Sequence, residues 1–205
     1  AHPGQVDVRI TAKAGSVKEA DVLIKPVEKE IRSLLGKHIF ATDDETMETV
    51  LGKLIKKNNI TICSYEDVTQ GMLCDRLQQA SLNHFVEGVV GNGIETIGRL
   101  TQSSGDKANP KLINNTQNAI ETLALKILKN CNTDLSVVLH GVPDMSDEAE
   151  NLARGRTFIS VTDGKKFKSR NLNVSGRGKP DRVRTSFEAL NLIRSVIQNG
   201  FTKDQ

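Results

Sequence analysis

The chain has no tryptophan, one tyrosine and six phenylalanines among its 205 residues. That scarcity argues against a base-stacking platform or an aromatic sugar cleft, both of which need flat rings on the surface. It also leaves Leu, Ile and Val to build the core. The three cysteines, Cys63, Cys74 and Cys131, form no close pair, so they read as reduced, buried thiols rather than a disulfide frame. With the four histidines widely separated, no zinc spacing is visible, and neither a metal nor a cofactor is expected. No apolar run approaches the roughly 20 residues needed to cross a bilayer, and no secretory leader is visible. A cytoplasmic protein without a membrane is therefore expected. A net charge of +3 is too mild to imply nucleic acid. The chain opens on Ala1 rather than Met and reads as a piece of something longer.

What is present is a regular alternation of strand and helix signals. "VDVRITAKA" alternates apolar residues from Val6 to Ala12 and predicts a strand. A helix is predicted from Ser16 to Gly36, interrupted near Pro26, then a short strand in "KHIFAT". Residues 1–45 so form a small β-α-β unit, too short to bury a large core alone. Residues 46–205 form the second unit. Helix "DDETMETVLGKLIKKN" leads into strand "ITICSY", helix "VTQGMLCDRLQQA", strand "HFVEGVVGN" and short helix "GIETIGRL". A loop, "SSGDKANP", precedes helix "NTQNAIETLALKILKN". Strand "LSVVLHGV", loop "PDMSDEAENLA", strands "GRTFISV" and "KKFKSRNLNV" and helix "PDRVRTSFEALNLIRSVIQNG" close the chain. The order predicts an α/β layered domain with a mixed sheet.

The junction "SYEDVTQGML" places Asp67 between a strand and a helix, where α/β proteins keep their chemistry. Aspartate is a preferred N-cap, and Gln70 three residues on completes a capping-box-like pair. Asp67 is therefore expected to cap the next helix. In "VVGNGIET" the glycines lack phosphate-loop spacing and predict a tight turn. His140 ends an apolar strand, a ligand-facing position, and reads either as a ligand contact or as a hydrogen-bonded structural histidine. In "KKFKSRN", Lys166, Lys168 and Arg170 alternate onto one strand face, expected to be solvated. The competing reading is an anion site made by Arg177 and Arg184 near a helix start.

The order of elements and several short motifs resemble the CinA family over nearly the whole chain. Residues 1–45 are similar to its KH-like middle domain, and residues 46–205 to its C-terminal nicotinamide-nucleotide amidase domain. The KH-like part carries no recognisable G-x-x-G loop, so nucleic acid is not expected as a partner. The family's Glu-Ser-Cys-Thr-Gly-Gly signature falls on Glu66, Asp67, Val68, Thr69, Gln70 and Gly71, where Asp67 takes the place of the nucleophilic serine. The second signature, Val-Val-Thr-Tyr-Ser-Asn-Glu-Ala-Lys, falls on residues 89–97. Asn92 replaces the catalytic tyrosine there and Ile97 the catalytic lysine. The third aligns with "HGVPDM" and "LARG" and keeps Gly141 and Gly155.

A serine attacks an amide only when a nearby base takes its proton, and here nucleophile, base and helper are replaced together. The resemblance therefore implies a catalytically degenerate relative of nicotinamide mononucleotide deamidases, serving as a nucleotide-binding or oligomerising module. Its implied ligand is a nicotinamide nucleotide or another small anion, held by Thr69, Gly71, His140, Gly141, Arg177 and Arg184; its implied assembly is a homo-oligomer. The competing reading is an active amidohydrolase with a site rebuilt around Asp67, His140 and Arg184. Weak nucleic-acid binding through the basic strand is a third.

Overall fold

A computed structural model describes residues 2–101, 116–143, 155–173 and 178–201. Helix α1 (Val17–Leu35) starts where the Ser16 hydroxyl accepts the amide of Glu19 at 3.3 Å. It runs unbroken through Pro26, correcting the expected interruption, and buries none of its residues. Helix α2 (Met47–Asn58) follows, capped by Thr46 and closed by Asn59 in the left-handed region at φ 50°. Strand β1 (Ile62–Glu66), helix α3 (Met72–Ser81), strand β2 (Phe85–Val90) and helix α4 (Ile94–Thr101) come next. Helix α5 (Thr116–Cys131), strands β3 (Leu135–Pro143), β4 (Gly155–Thr162) and β5 (Phe167–Leu172), and helix α6 (Lys179–Asn199) complete the described elements. The loop expected at "SSGDKANP" and nearly all of "PDMSDEAENLA" lie outside the described residues.

Sheet order is β2-β1-β3-β4-β5. The pairs β1/β2 and β1/β3 are parallel, and β3/β4 and β4/β5 are antiparallel. Period-two alternation sends the sheet's side chains into two cores. Ile62, Val137, Leu139, Ile159 and Val161 pack with Met47, Leu51, Leu73, Leu190 and Ile193, so α2, α3 and α6 cover one face. Cys63, Tyr65 and Val138 pack with Ile97, Ile120, Leu123 and Ile127, so α4 and α5 cover the other. The mixed three-layer α/β arrangement agrees with the sequence reading.

The first forty residues do not. Neither "VDVRITAKA" nor "KHIFAT" is a strand; the first has no ladder, and the second opens in a 3-10 turn over Gly36–His38. A strand exists only where its N–H and C=O groups find a partner, and among the described residues these segments pair with none. Val6 and Val8 are accordingly exposed. What ties this region to the sheet domain is local. Phe40 meets Phe187 edge to face at 5.3 Å between ring centroids, and the Arg194 guanidinium donates to the Lys37 carbonyl at 3.1 Å.

Candidate functional site

At the C-terminal edge of β1 and β3 the parallel strands present Tyr65, Glu66, Asp67, His140 and Gly141. Alternation separates them: Glu66 faces the α3 side, whereas Tyr65 and Asp67 share the α4/α5 side. Glu66 is fully buried, and its two carboxylate oxygens accept the amides of Cys74 at 2.7 Å and Leu73 at 3.1 Å. It also takes the Thr69 hydroxyl. These are amides of the first turn of α3, so Glu66 is the group that meets the helix's positive end.

That corrects the expected role of Asp67. Helix α3 begins at Met72, behind Gln70 and Gly71 with φ of 55° and 92°, and its N-cap is Gly71. Asp67 stands too far back to cap it. Instead one oxygen of Asp67 binds Nδ1 of His140 and the other accepts the amide of Gly141 at 3.0 Å. Both side chains are almost fully enclosed. Tyr65 lies beside them: its hydroxyl donates to the Gly93 carbonyl at 3.3 Å. Burial first, then the Asp67 charge and a hydrogen bond to it, push the Tyr65 phenol well above its ordinary range.

The other positions separate. Asn92 is exposed and its amide donates to the Thr96 hydroxyl at 3.1 Å. Ile97 is 1% exposed inside the α4/α5 core, in one apolar cluster with Tyr65 and Ile120. Arg184 is exposed on α6 and bonds to neither Asp67 nor His140. Arg177 lies outside the described residues. Thr69 spends its hydroxyl on Glu66, and Gly71 supplies the left-handed turn. Among the described residues no cluster of His, Cys, Asp and Glu is placed to hold a metal ion. A serine–lysine contact does exist, Lys168 Nζ to Ser195 Oγ at 2.8 Å, but it joins β5 to α6 on the opposite face of the sheet.

Lys168 also corrects the expected solvated strand. Lys168 and Arg170 do share a face, but that face meets α6, where Lys168 is buried and Arg170 pairs with Glu188 at 2.6 Å. The residue that sequence reasoning missed is Tyr65. Its signal was its position two before Asp67, on the same side of a strand.

A carboxylate holding an imidazole at the carboxyl ends of parallel strands, roofed by helices on both faces, defines the class: a three-layer α/β domain with its polar site at the strand edge. Comparison with known sequences narrows this. The chain belongs to the CinA family: the family model described as "CinA C-terminal domain" matches residues 44–197, and "Damage-inducible protein CinA KH domain" matches residues 1–41. A "Putative competence-damage inducible protein" of Clostridium novyi is 30% identical over 203 residues, covering 98% of this chain and 49% of the relative. One of the same description from Clostridium tetani is 49% identical over 77 residues, 38% of this chain and 19% of the relative. The chain thus spans about half the length of the relatives it matches end to end. A crystal structure of a CinA superfamily protein from Klebsiella pneumoniae superposes with a TM-score of 0.61 at 13% identity, covering 74% of this chain and 95% of that one. Another from Escherichia coli gives 0.59 at 12% identity, covering 79% and 98%. At those identities the likeness is one of fold.

Proposed function

We propose that this chain is a CinA-family domain that has lost serine-based amide hydrolysis and acts as a binding or assembly module for a nicotinamide nucleotide or another small anionic ligand. The observation that carries this is the state of the two replaced positions. Asp67 already accepts from His140 and Gly141 and has no free oxygen aimed at a substrate carbonyl. Ile97 is packed in the core, so no lysine-like base faces it. A buried carboxylate that is doubly bonded is a poor nucleophile and no replacement for an activated hydroxyl.

The test is ammonia release from nicotinamide mononucleotide, alongside an active serine-bearing relative. No release above background is expected, and turnover matching the relative's rate would overturn the reading. Homo-oligomerisation is part of the same proposal, read by light scattering.

One observation favours a second reading, the rebuilt amidohydrolase. Asp67 orients the His140 ring through Nδ1, the arrangement by which a carboxylate readies imidazole as a base. In that route Nε2 takes a proton from water, the hydroxide attacks the carboxamide carbon, and the C–N bond breaks as the proton returns to departing ammonia. Slow release abolished by His140→Ala would favour it.

A further inference from the structure

A concave region that includes neither Asp67 nor His140 lies against the α2/α6 layer. Lys57 and Asn58 end α2, which leads into the start of β1, whereas Asp67 follows the end of β1. The cavity has a volume of about 790 Å³ and opens between the Gly36–His38 turn, the end of α2 and the second half of α6. That volume suits a nucleotide-sized ligand.

Its chemistry is one-sided. Lys37, Lys57 and Arg194 line it, together with His38 and with Arg170, whose charge is already met by Glu188, and among the described residues no Asp or Glu lines it. On α6 the residues Asn191, Arg194, Ser195 and Gln198 recur at helical spacing, so a polar stripe faces the cavity. Arg194 is the centre of that stripe. It is 8% exposed, and every group it reaches is neutral. Its Nε and Nη2 donate to Asn191 Oδ1 at 3.1 and 2.9 Å, Nη1 to Gln198 Oε1 at 3.0 Å, and Nη2 to the Lys37 carbonyl at 3.1 Å. Four of the five N–H groups are thereby spent, which fixes the guanidinium and leaves one Nη1 hydrogen.

Burying a cation is costly without an opposite charge. Here the fold buries one, holds it with amides that do not neutralise it, and places further cations around it. Burial pushes the Arg194 guanidinium below its ordinary value, as expected where no carboxylate offsets the loss of water. The pattern differs from the Arg170–Glu188 and Arg76–Glu48 pairs, in which each guanidinium has its own carboxylate. A multiply charged anion entering the cavity would supply the missing charge. The one Nη1 hydrogen left on a fixed guanidinium and the point charges of the lysines favour phosphate groups, which offer several oxygens to be shared among them. Ile39, Leu54 and Ile197 give the same cavity an apolar wall.

We propose that this cavity binds a chain of phosphates, as a nucleoside di- or triphosphate or as inorganic polyphosphate, with Arg194 fixed in advance and Lys57 closing on the anion. The site is independent of the Asp67–His140 pair and does not rest on the function proposed above.

The probes are ATP, ADP and inorganic tripolyphosphate, titrated calorimetrically into the full chain at low and moderate salt, with single-stranded RNA as a control. Binding of ATP or tripolyphosphate that weakens with added salt and drops at least tenfold in Lys57→Glu is expected. Asp67→Asn should leave it unchanged. Lys57 is exposed at a helix end, so its substitution does not threaten folding; Arg194→Gln, with folding checked by circular dichroism, should weaken binding further. Tighter binding of ATP than of tripolyphosphate identifies a nucleotide; equal binding identifies the phosphate chain alone. Three results overturn the proposal. They are no binding of any phosphate probe, binding that Lys57→Glu leaves intact, and RNA binding that tripolyphosphate does not displace.

Discussion

Asp67 and His140 are bound to one another across the parallel pair of β1 and β3, with side chains 7% and 4% exposed. Asp67, which the proposed reading sets at the place of a nucleophilic serine, is thus a structural partner of the strand next door. Restoring the hydroxyl alone should not restore chemistry. In Asp67→Ser the shorter side chain leaves the His140 ring and the Gly141 amide without their acceptor, and Ile97 still offers no base. The expected outcome is no ammonia from nicotinamide mononucleotide and a stability loss of about 2–4 kcal/mol by urea denaturation. Asp67→Asn keeps one carbonyl oxygen in place and should lose less. If Asp67→Ser unfolds at the parent's urea midpoint, the pair contributes nothing and this account of the site fails.

Tyr65 makes the neighbourhood directly observable, because it is the only tyrosine and the chain has no tryptophan. Its phenol is neutral in the fold at pH values where a free phenol ionises, and burial is the leading cause. A raised folded value favours the native state below the unfolded value of 10.0 and loses that contribution as pH rises above it. Phenolate absorbance should therefore be absent at pH 10 and appear together with loss of helical circular dichroism. Asp67→Asn should move the onset down only part of the way, since burial stays. The packing that encloses this ring is also testable at Gly91, where an added Cβ would lie 2.2 Å from the Tyr65 hydroxyl oxygen and 2.5 Å from its ring. Gly91→Ala should cost about 1–3 kcal/mol by overpacking and bring the phenolate signal to lower pH. A phenol that titrates at its ordinary value in the parent would show that the ring is not sealed.

Long elements with one apolar stripe were legible without coordinates. The spacing puts Ile120, Leu123, Ala124, Ile127 and Leu128 on one side of helix α5; the first four are buried in the α4/α5 core and Leu128 is half-buried. Periodicity sufficed there because burial follows spacing. It did not suffice at "VDVRITAKA", whose alternation is that of a strand, since a strand also needs a neighbour that no local pattern supplies. At the site, the rule that aspartate caps helices pointed to the right junction and the wrong residue. Glu66, one position earlier, faces the helix because the strand's alternation turns it that way, and the two consecutive left-handed residues Gln70 and Gly71 delay the helix to Met72. The bond between Asp67 and His140 spans 73 positions and comes from the β1/β3 register, in which Glu66 pairs with Leu139. Lys168 and Arg170 were placed correctly on one face, but which face meets α6 is a property of the whole sheet.

Two of the three helices that brace the sheet's other face are joined by a charge contact whose effect has a definite pH window. Glu48 of α2 accepts from Arg76 of α3 at 2.5 Å, with the side chains 18% and 14% exposed. Arg76 also donates to the Ser186 hydroxyl at 3.0 Å and lies 5.7 Å from the centre of the Phe187 ring, so one guanidinium links α2, α3 and α6. Burial alone would raise the Glu48 carboxyl, but the Arg76 hydrogen bond and charge, with the local backbone and Thr46 contacts, outweigh it and hold it below 4.5. A lowered folded value stabilises the native state above the unfolded value and is lost as pH falls through the folded one. Glu48→Gln should therefore cost about 1–2 kcal/mol at pH 7, and the gap to the parent should close as pH drops below 4.5. Urea denaturation at a series of pH values from neutral to acid measures that gap. A difference that stays constant across the series would mean that Glu48 acts through packing, and that the three-helix brace does not depend on its charge.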